Sequence, residues 1–158
     1  VEKGLRENIV KGVLAGYPMV GLHAKLYDGS YHPVDSSEMA FKTAARIAYK
    51  KGCMEAGPTL LEPVMHVEII VPDEYMGDVM GDMNKRRGRI MGMNKVEDGQ
   101  QLVAEAPMSE LFKYATDLRS MTQARGSFSM RFERYEEVPA TVAEKIIANA
   151  EKVEDDED

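Results

Sequence analysis

Apolar residues fall at Leu5, Ile9, Val10, Val13 and Leu14, the three-and-four spacing of one helix face, so the first fifteen residues predict a helix. Gly16 follows as a candidate C-terminal cap, and Pro18 bars continuation. Over residues 19–27 the period changes to two. Val20, Leu22, Ala24 and Leu26 share one face, the pattern of a half-buried strand. Asp28-Gly29-Ser30 is a turn signal. Asp35 then stands where a carboxylate can accept from the free N–H groups of a first helical turn, with Glu38 three residues on. Met39, Phe41, Ala44, Ala45, Ile47 and Ala48 carry that helix to about Cys53, and Gly57-Pro58 ends it.

Beyond a boundary near Leu60 the pattern becomes a complete unit. Residues 62–71 predict a strand, 73–85 a helix and 87–95 a strand. Asp98-Gly99 signals a hairpin. Residues 101–106 predict a strand, Ser109 caps a helix through 121, and 126–135 predict a last strand. The order is β-α-β-β-α-β, the ferredoxin-like sandwich of the α+β class. Residues 139–150 predict a final helix. It has no place in the six-element unit and is expected to pack back on the first segment. That first segment, 1–60, holds only helix, strand and helix, too little for a closed sheet, and reads as incomplete on its N-terminal side.

Composition sharpens this picture at the C-terminus. The net charge is −7 over 158 residues. Residues 151–158 contribute −5 of it, with Val153 as their only apolar residue, so an acidic disordered tail is expected. The preceding 150 residues therefore carry only −2, and local patches decide what a polyanion meets. No apolar run approaches the roughly 20 residues of a membrane span. No signal peptide opens the chain, which does not begin with Met and is expected to be a cut from a longer polypeptide. The single cysteine, Cys53, has no disulfide partner, is expected to be a small buried residue, and fits a reducing cytoplasm.

Catalytic motifs are missing. The segment from Gly81 to Gly88 comes nearest to a phosphate loop, but no Lys or Ser/Thr follows Gly88. His23, His32 and His66 show no metal spacing, and the row Glu74, Asp78, Asp82 reads as a solvated helix face. No catalytic residue, metal or cofactor is expected. Three segments suit RNA instead. Tyr31 and His32 sit in a projecting polar loop and can stack or hydrogen-bond. Lys85, Arg86 and Arg87 stand at a helix end, where Gly88 lets the backbone turn. Arg119, Ser120 and Gln123 crowd a second helix-to-strand turn with hydrogen-bonding capacity.

The same segments carry a resemblance. The stretch from Tyr27 to Phe41, the entry Leu60-Leu61-Glu62-Pro63-Val64-Met65, the helix from Glu74 to Asp82 with Arg86-Arg87-Gly88, the block from Tyr114 to Gln123, and Tyr135-Glu136-Glu137-Val138-Pro139 resemble translation elongation factor G of the bacterial type. The likeness runs over residues 1 to 150. It implies the C-terminal part of domain IV at 1–60, of the ribosomal protein S5 domain 2-like α+β kind. Domain V follows at 61–137, then a C-terminal helix at 138–150 and the tail at 151–158. It implies a GTPase parent that uses GTP and Mg, with neither bound by this segment. It implies ribosome, rRNA and tRNA–mRNA partners, no membrane, and a cytoplasmic site. His32 would be the tip histidine reaching the decoding region. Arg119, Ser120 and Gln123 would face the rRNA near the sarcin–ricin loop. His32 and the Asp117–Gln123 block favour a translocation factor over a ribosome-protection protein, and a recycling-specialised form stays open. A free-standing RNA-recognition domain is a competing reading, and it would need exposed aromatics on its central strands.

Overall fold

A computed structural model describes residues 1–156, with side chains as far as residue 150. The chain divides into two units, Val1–Leu60 with Val138–Asp158, and Leu61–Glu137.

In the first unit, α1 (Glu2–Asn8) crosses α2 (Glu38–Glu55) at Gly4, where a Cβ would stand 2.9 Å from the Lys42 Cα. Lys3–Glu38 and Lys42–Glu7 ion pairs flank the crossing. Ala45, Tyr49 and Cys53 form the buried stripe of α2, so Cys53 is a core thiol as its sequence context suggested.

Three expectations fail here. The helix predicted through residue 15 stops at Asn8 because the chain doubles back. Met19 N–H donates to the Ile9 carbonyl and Gly12 N–H to the Tyr17 carbonyl, both at 2.7 Å, taking groups that a longer helix would use. The strand predicted at 19–27 does not form either. Among the described residues no strand pairs with it, and its apolar face is open, with Val20 69% and Leu26 72% exposed. A period-two pattern makes a strand only where a neighbour takes the backbone groups and a layer covers the face. The cap of α2 is also reassigned. Ser37, not Asp35, caps it, its Oγ accepting from the Ala40 N–H at 3.1 Å.

The second unit follows the predicted element order. It runs β1 (Leu61–Val71), a 3-10 turn, α3 (Met76–Lys85), β2 (Arg89–Val96), β3 (Gly99–Pro107), a second 3-10 turn (Met108–Glu110), α4 (Tyr114–Met121) and β4 (Ser127–Glu137). The spatial order is β2-β3-β1-β4, and every pairing is antiparallel, as in a ferredoxin-like sandwich. Alternate β1 residues Val67, Ile69 and Val71 are fully buried against Val79 and Met83 of α3 and Leu118 of α4. The helix expected from Ser109 starts only at Tyr114. Leu111 is buried, and Arg86 holds the Glu110 carbonyl at 2.7 Å, which keeps 108–113 out of a continuous helix.

The sheet face opposite the helices carries an ionic ladder. Arg134 forks onto Glu105 at 3.0 and 2.7 Å and reaches Glu136 at 2.7 Å. Arg89 meets the same two carboxylates. Hydrogen bonding from Arg134, helped by Arg89, holds the Glu105 carboxyl below its usual range despite burial.

Back in the first unit, α5 (Ala140–Asp156) begins after Val138, whose N–H donates to the Leu60 carbonyl at 2.9 Å. The helix passes the expected end at residue 150. Residues 157–158 of the predicted tail, and the side chains of 151–156, lie outside the described residues. No helix among the described residues is long and apolar enough to cross a membrane.

Because folding lowers the Glu105 pKa, its stabilisation is complete above the ordinary carboxylate range and is lost as pH falls through the lowered value. Urea unfolding of wild type and Glu105→Gln at neutral pH and at about pH 3 checks this. The variant is expected to be the weaker at neutral pH, with the gap closing in acid. A gap of equal size at both pH values would remove the ladder from the stability of this unit.

Candidate nucleic-acid interface

Both helices of the 61–137 unit end in the same hydrogen-bonded way. After α3, Gly88 N–H donates to the Met83 carbonyl at 2.9 Å and Arg87 N–H to the Asn84 carbonyl at 3.3 Å. After α4, Ala124 N–H donates to the Arg119 carbonyl at 2.9 Å. These six-to-one closures are Schellman caps, whose turning residue takes positive φ and is usually glycine. Here the turning residues are Arg87 (φ +57°) and Gln123 (φ +51°), and Ala124 follows at +63°. Each such side chain costs roughly 1–3 kcal/mol of backbone strain. Gly88, expected to make the first turn, does another job. A Cβ there would lie 2.6 Å from the Met83 carbonyl oxygen, so glycine supplies room rather than curvature.

At the first turn the arginines are taken up inside the unit. Arg86 donates to Asp82 at 2.7 Å, to the Glu110 carbonyl at 2.7 Å and to Asp117 at 2.5 Å, and lies over the Tyr114 ring. Burial opposes its charge, but the hydrogen bonds to Asp82 and Asp117 outweigh burial and hold its pKa above the usual value. Arg87 forks onto Glu62 at 2.7 and 2.9 Å and also meets Glu110. These side chains are only 13% and 25% exposed, with their guanidinium groups largely engaged inside the unit. Lys85 alone of the three is exposed, with no ion pair among the described residues.

The second turn is built differently. Thr122, fully buried, donates from Oγ1 to the Leu118 carbonyl at 2.7 Å and accepts from the Gly126 N–H at 3.0 Å. Arg125 pairs with Glu74 and lies over the Tyr75 ring. These groups fix the backbone. Arg119, Ser120 and Gln123 are then exposed, and no described residue bonds their side chains. A groove lined by Thr116, Ser127 and Phe128 runs beside Arg119. The two clusters are not one surface. Arg86 of the first cluster reaches Tyr114 and Asp117 in the N-terminal half of α4, whereas Arg119–Gln123 lies at its C-terminal end.

In the first unit, Tyr31 is 72% exposed, and the His32 side chain is 68% exposed. The loop is closed by Ser36, whose Oγ accepts from the His32 N–H at 2.7 Å and whose N–H donates to the His32 carbonyl at 2.9 Å.

The acidic row Glu74, Asp78, Asp82 is broken up, since Glu74 lies in the 3-10 turn before α3 and goes to Arg125, and Asp82 goes to Arg86. Among the described residues no cluster of His, Cys, Asp or Glu is arranged to hold a metal ion. The open sheet face is filled by charge pairs, and Phe128 packs edge-on against Tyr114 on the helix side. That arrangement does not make the base-stacking platform of a free-standing RNA-recognition domain. In sequence Thr122 counts only as one more hydrogen-bonding group of this turn, and the fold makes it a buried cap. Its one signal is a threonine four residues before a glycine at a helix end.

Residues 1–79 match the family model described as elongation factor G, domain IV, and residues 59–146 the one described as elongation factor G C-terminus. A crystal structure of a protein from Thermus thermophilus is 42% identical with a TM-score of 0.80. The match covers 96% of this chain and 23% of that one, so this chain spans about a quarter of its length.

Two substitutions test the contrast between the turns. Arg86→Ala is expected to destabilise the unit by about 2 kcal/mol, because it strands Asp82, Asp117 and the Glu110 carbonyl, while Lys85→Ala changes stability little. Equal denaturation midpoints for the two variants would contradict this. Gln123→Gly relieves left-handed strain and is expected to raise stability by about 0.5–1 kcal/mol. A lowered midpoint would show that the Gln123 side chain supports the fold.

Proposed function

This chain belongs to the elongation factor G family, across its domain IV and C-terminal domain, and on that premise we propose that it is the ribosome-contacting portion of a translocation factor. The single observation that carries the reading is the difference between the two left-handed caps. The strain at Arg87 is offset by its own protein, through Glu62 and Glu110. The strain at Gln123 is not, because its amide bonds to no described residue. Strained backbone held in place by its neighbours clusters at ligand clamps and switch regions, and here its side chain is unused internally. Arg119 supplies a guanidinium that matches a phosphate, and Ser120 and Gln123 supply hydrogen bonds for an RNA backbone or loop. On this reading the turn meets rRNA near the sarcin–ricin loop, and Lys85 adds a separate cation at the other cluster.

Tyr31 and His32 form the tip that follows the tRNA–mRNA duplex in the decoding region. Their function is steric and hydrogen-bonding, with no bond made or broken by this segment. GTP and Mg belong to a GTPase domain elsewhere in a longer cytoplasmic protein.

Ribosome binding by full-length elongation factor G carrying this segment tests the proposal. Arg119→Ala is expected to weaken binding and to lower the log–log salt slope by about 1, the loss of one phosphate contact. Wild-type affinity and slope would take Arg119 out of the interface. In the same protein His32→Ala is expected to slow translocation while GTP hydrolysis continues. An unchanged translocation rate would take His32 out of the mechanism.

A further inference from the structure

Three consecutive polar residues precede α2, and each has a different task. Ser37 caps the helix. Ser36 closes the loop onto the backbone of His32 through two hydrogen bonds. Asp35, released from capping, sets its Oδ2 3.3 Å from the His32 Nδ1. The backbone of residue 32 is therefore fixed by Ser36, and its ring is addressed by Asp35. We propose that Asp35 is a positioning residue for His32, selecting the imidazole tautomer with hydrogen on Nδ1 and leaving Nε2 as an acceptor for an RNA hydroxyl or amino group.

A neutral imidazole carries one hydrogen, on either nitrogen. An Nδ1 lone pair facing a carboxylate is repelled, whereas an Nδ1–H is attracted, and the nitrogen left over takes the opposite role. His32 and Asp35 are 68% and 81% exposed, so the pair does little for folding. It needs to do little, because the two tautomers are close in energy and a weak bias decides between them. Among the described residues no other charged side chain lies within ion-pair distance of the ring. Asp28, the nearby loop carboxylate, accepts instead from the Gly29 N–H at 2.7 Å. With Nδ1 protonated, the outward nitrogen accepts a hydrogen bond, which suits a ribose 2′-hydroxyl or an exocyclic amine and not a phosphate.

The proposal rests on the reading of His32 as the tip residue, and its test separates the two. Long-range proton–nitrogen NMR of this chain, at a pH where the ring is neutral, reports which nitrogen carries the hydrogen. The expected result is a Nδ1–H majority in wild type, inverted to Nε2–H in Asp35→Ala and unchanged in Asp28→Ala. The Ser37 cap keeps α2 intact in all three. A wild-type Nε2–H majority, or a ratio that Asp35→Ala does not move, overturns the proposal. In the full-length factor, Asp35→Ala is expected to slow translocation several-fold and to add nothing to His32→Ala. Further slowing in the His32→Ala background would mean that Asp35 acts on its own and would also overturn it. If His32→Ala leaves translocation unchanged, the tip reading fails, while the tautomer ratio still decides the positioning.

Discussion

Everything in the 61–137 unit follows from having to turn a helix back into the sheet over very few residues. Only three residues separate α3 from β2, and five separate α4 from β4. Reversals that tight need a left-handed residue at the helix end. Glycine is the low-strain choice, and neither position has it. At the first reversal the side chain at the strained position is a tool. Arg87 reaches Glu62 on the central strand and Glu110 beyond β3, while Arg86 gathers Asp82, Asp117 and the Glu110 carbonyl. The helix end is thereby tied to the middle of the sheet and to the start of the other helix. At the second reversal the tie is made by Thr122 and Arg125, one residue to each side of the strained pair, and Gln123 itself is left open.

The element order of this unit was readable because each element closes on partners inside the same stretch of chain. Period-two runs met sheet neighbours, and period-three-and-four runs met the sheet. Residues 19–27 show the limit of that logic. Their alternation is as regular as that of β1, yet no ladder forms, because a strand is a relation between two segments and only one is visible in a local pattern. Caps were legible by type more than by residue. Asp35 was expected to cap α2, and the geometry gave that task to Ser37, two residues on. Ser109 was a plausible cap, but the burial of Leu111 and the hold of Arg86 on residue 110 prevailed over local preference.

The candidate site was legible in outline and not in detail. The basic run at 85–87 looks uniform in sequence. The fold divides it into one exposed lysine and two arginines turned inward, onto Asp82 one helical turn away and onto acceptors 23 to 31 residues distant along the chain, separations that no local pattern reports. The block at 119–123 kept its exposed polar groups because its turn is held from beneath by a buried threonine. An acidic chain can therefore offer a cationic contact. Several of its acidic residues are matched by arginines within the fold, as Glu105 and Glu136 are on the open sheet face, and exposed cations outside those pairs set the local field.

The two left-handed residues also differ in what selection can see. A change at 87 removes contacts on which the unit's stability rests, so its cost appears as a lower abundance of folded protein, whatever the protein is doing. On the function proposed for the second turn, a change at 123 is expected to leave abundance intact or raise it, with harm appearing only when a partner is present. Two positions with one backbone geometry thus answer to separate pressures, one to the persistence of the fold and the other to its use. A population of sequences would constrain the pair through independent channels, with tolerance at 123 shifting wherever the partner surface shifts and tolerance at 87 held constant by Glu62 and Glu110.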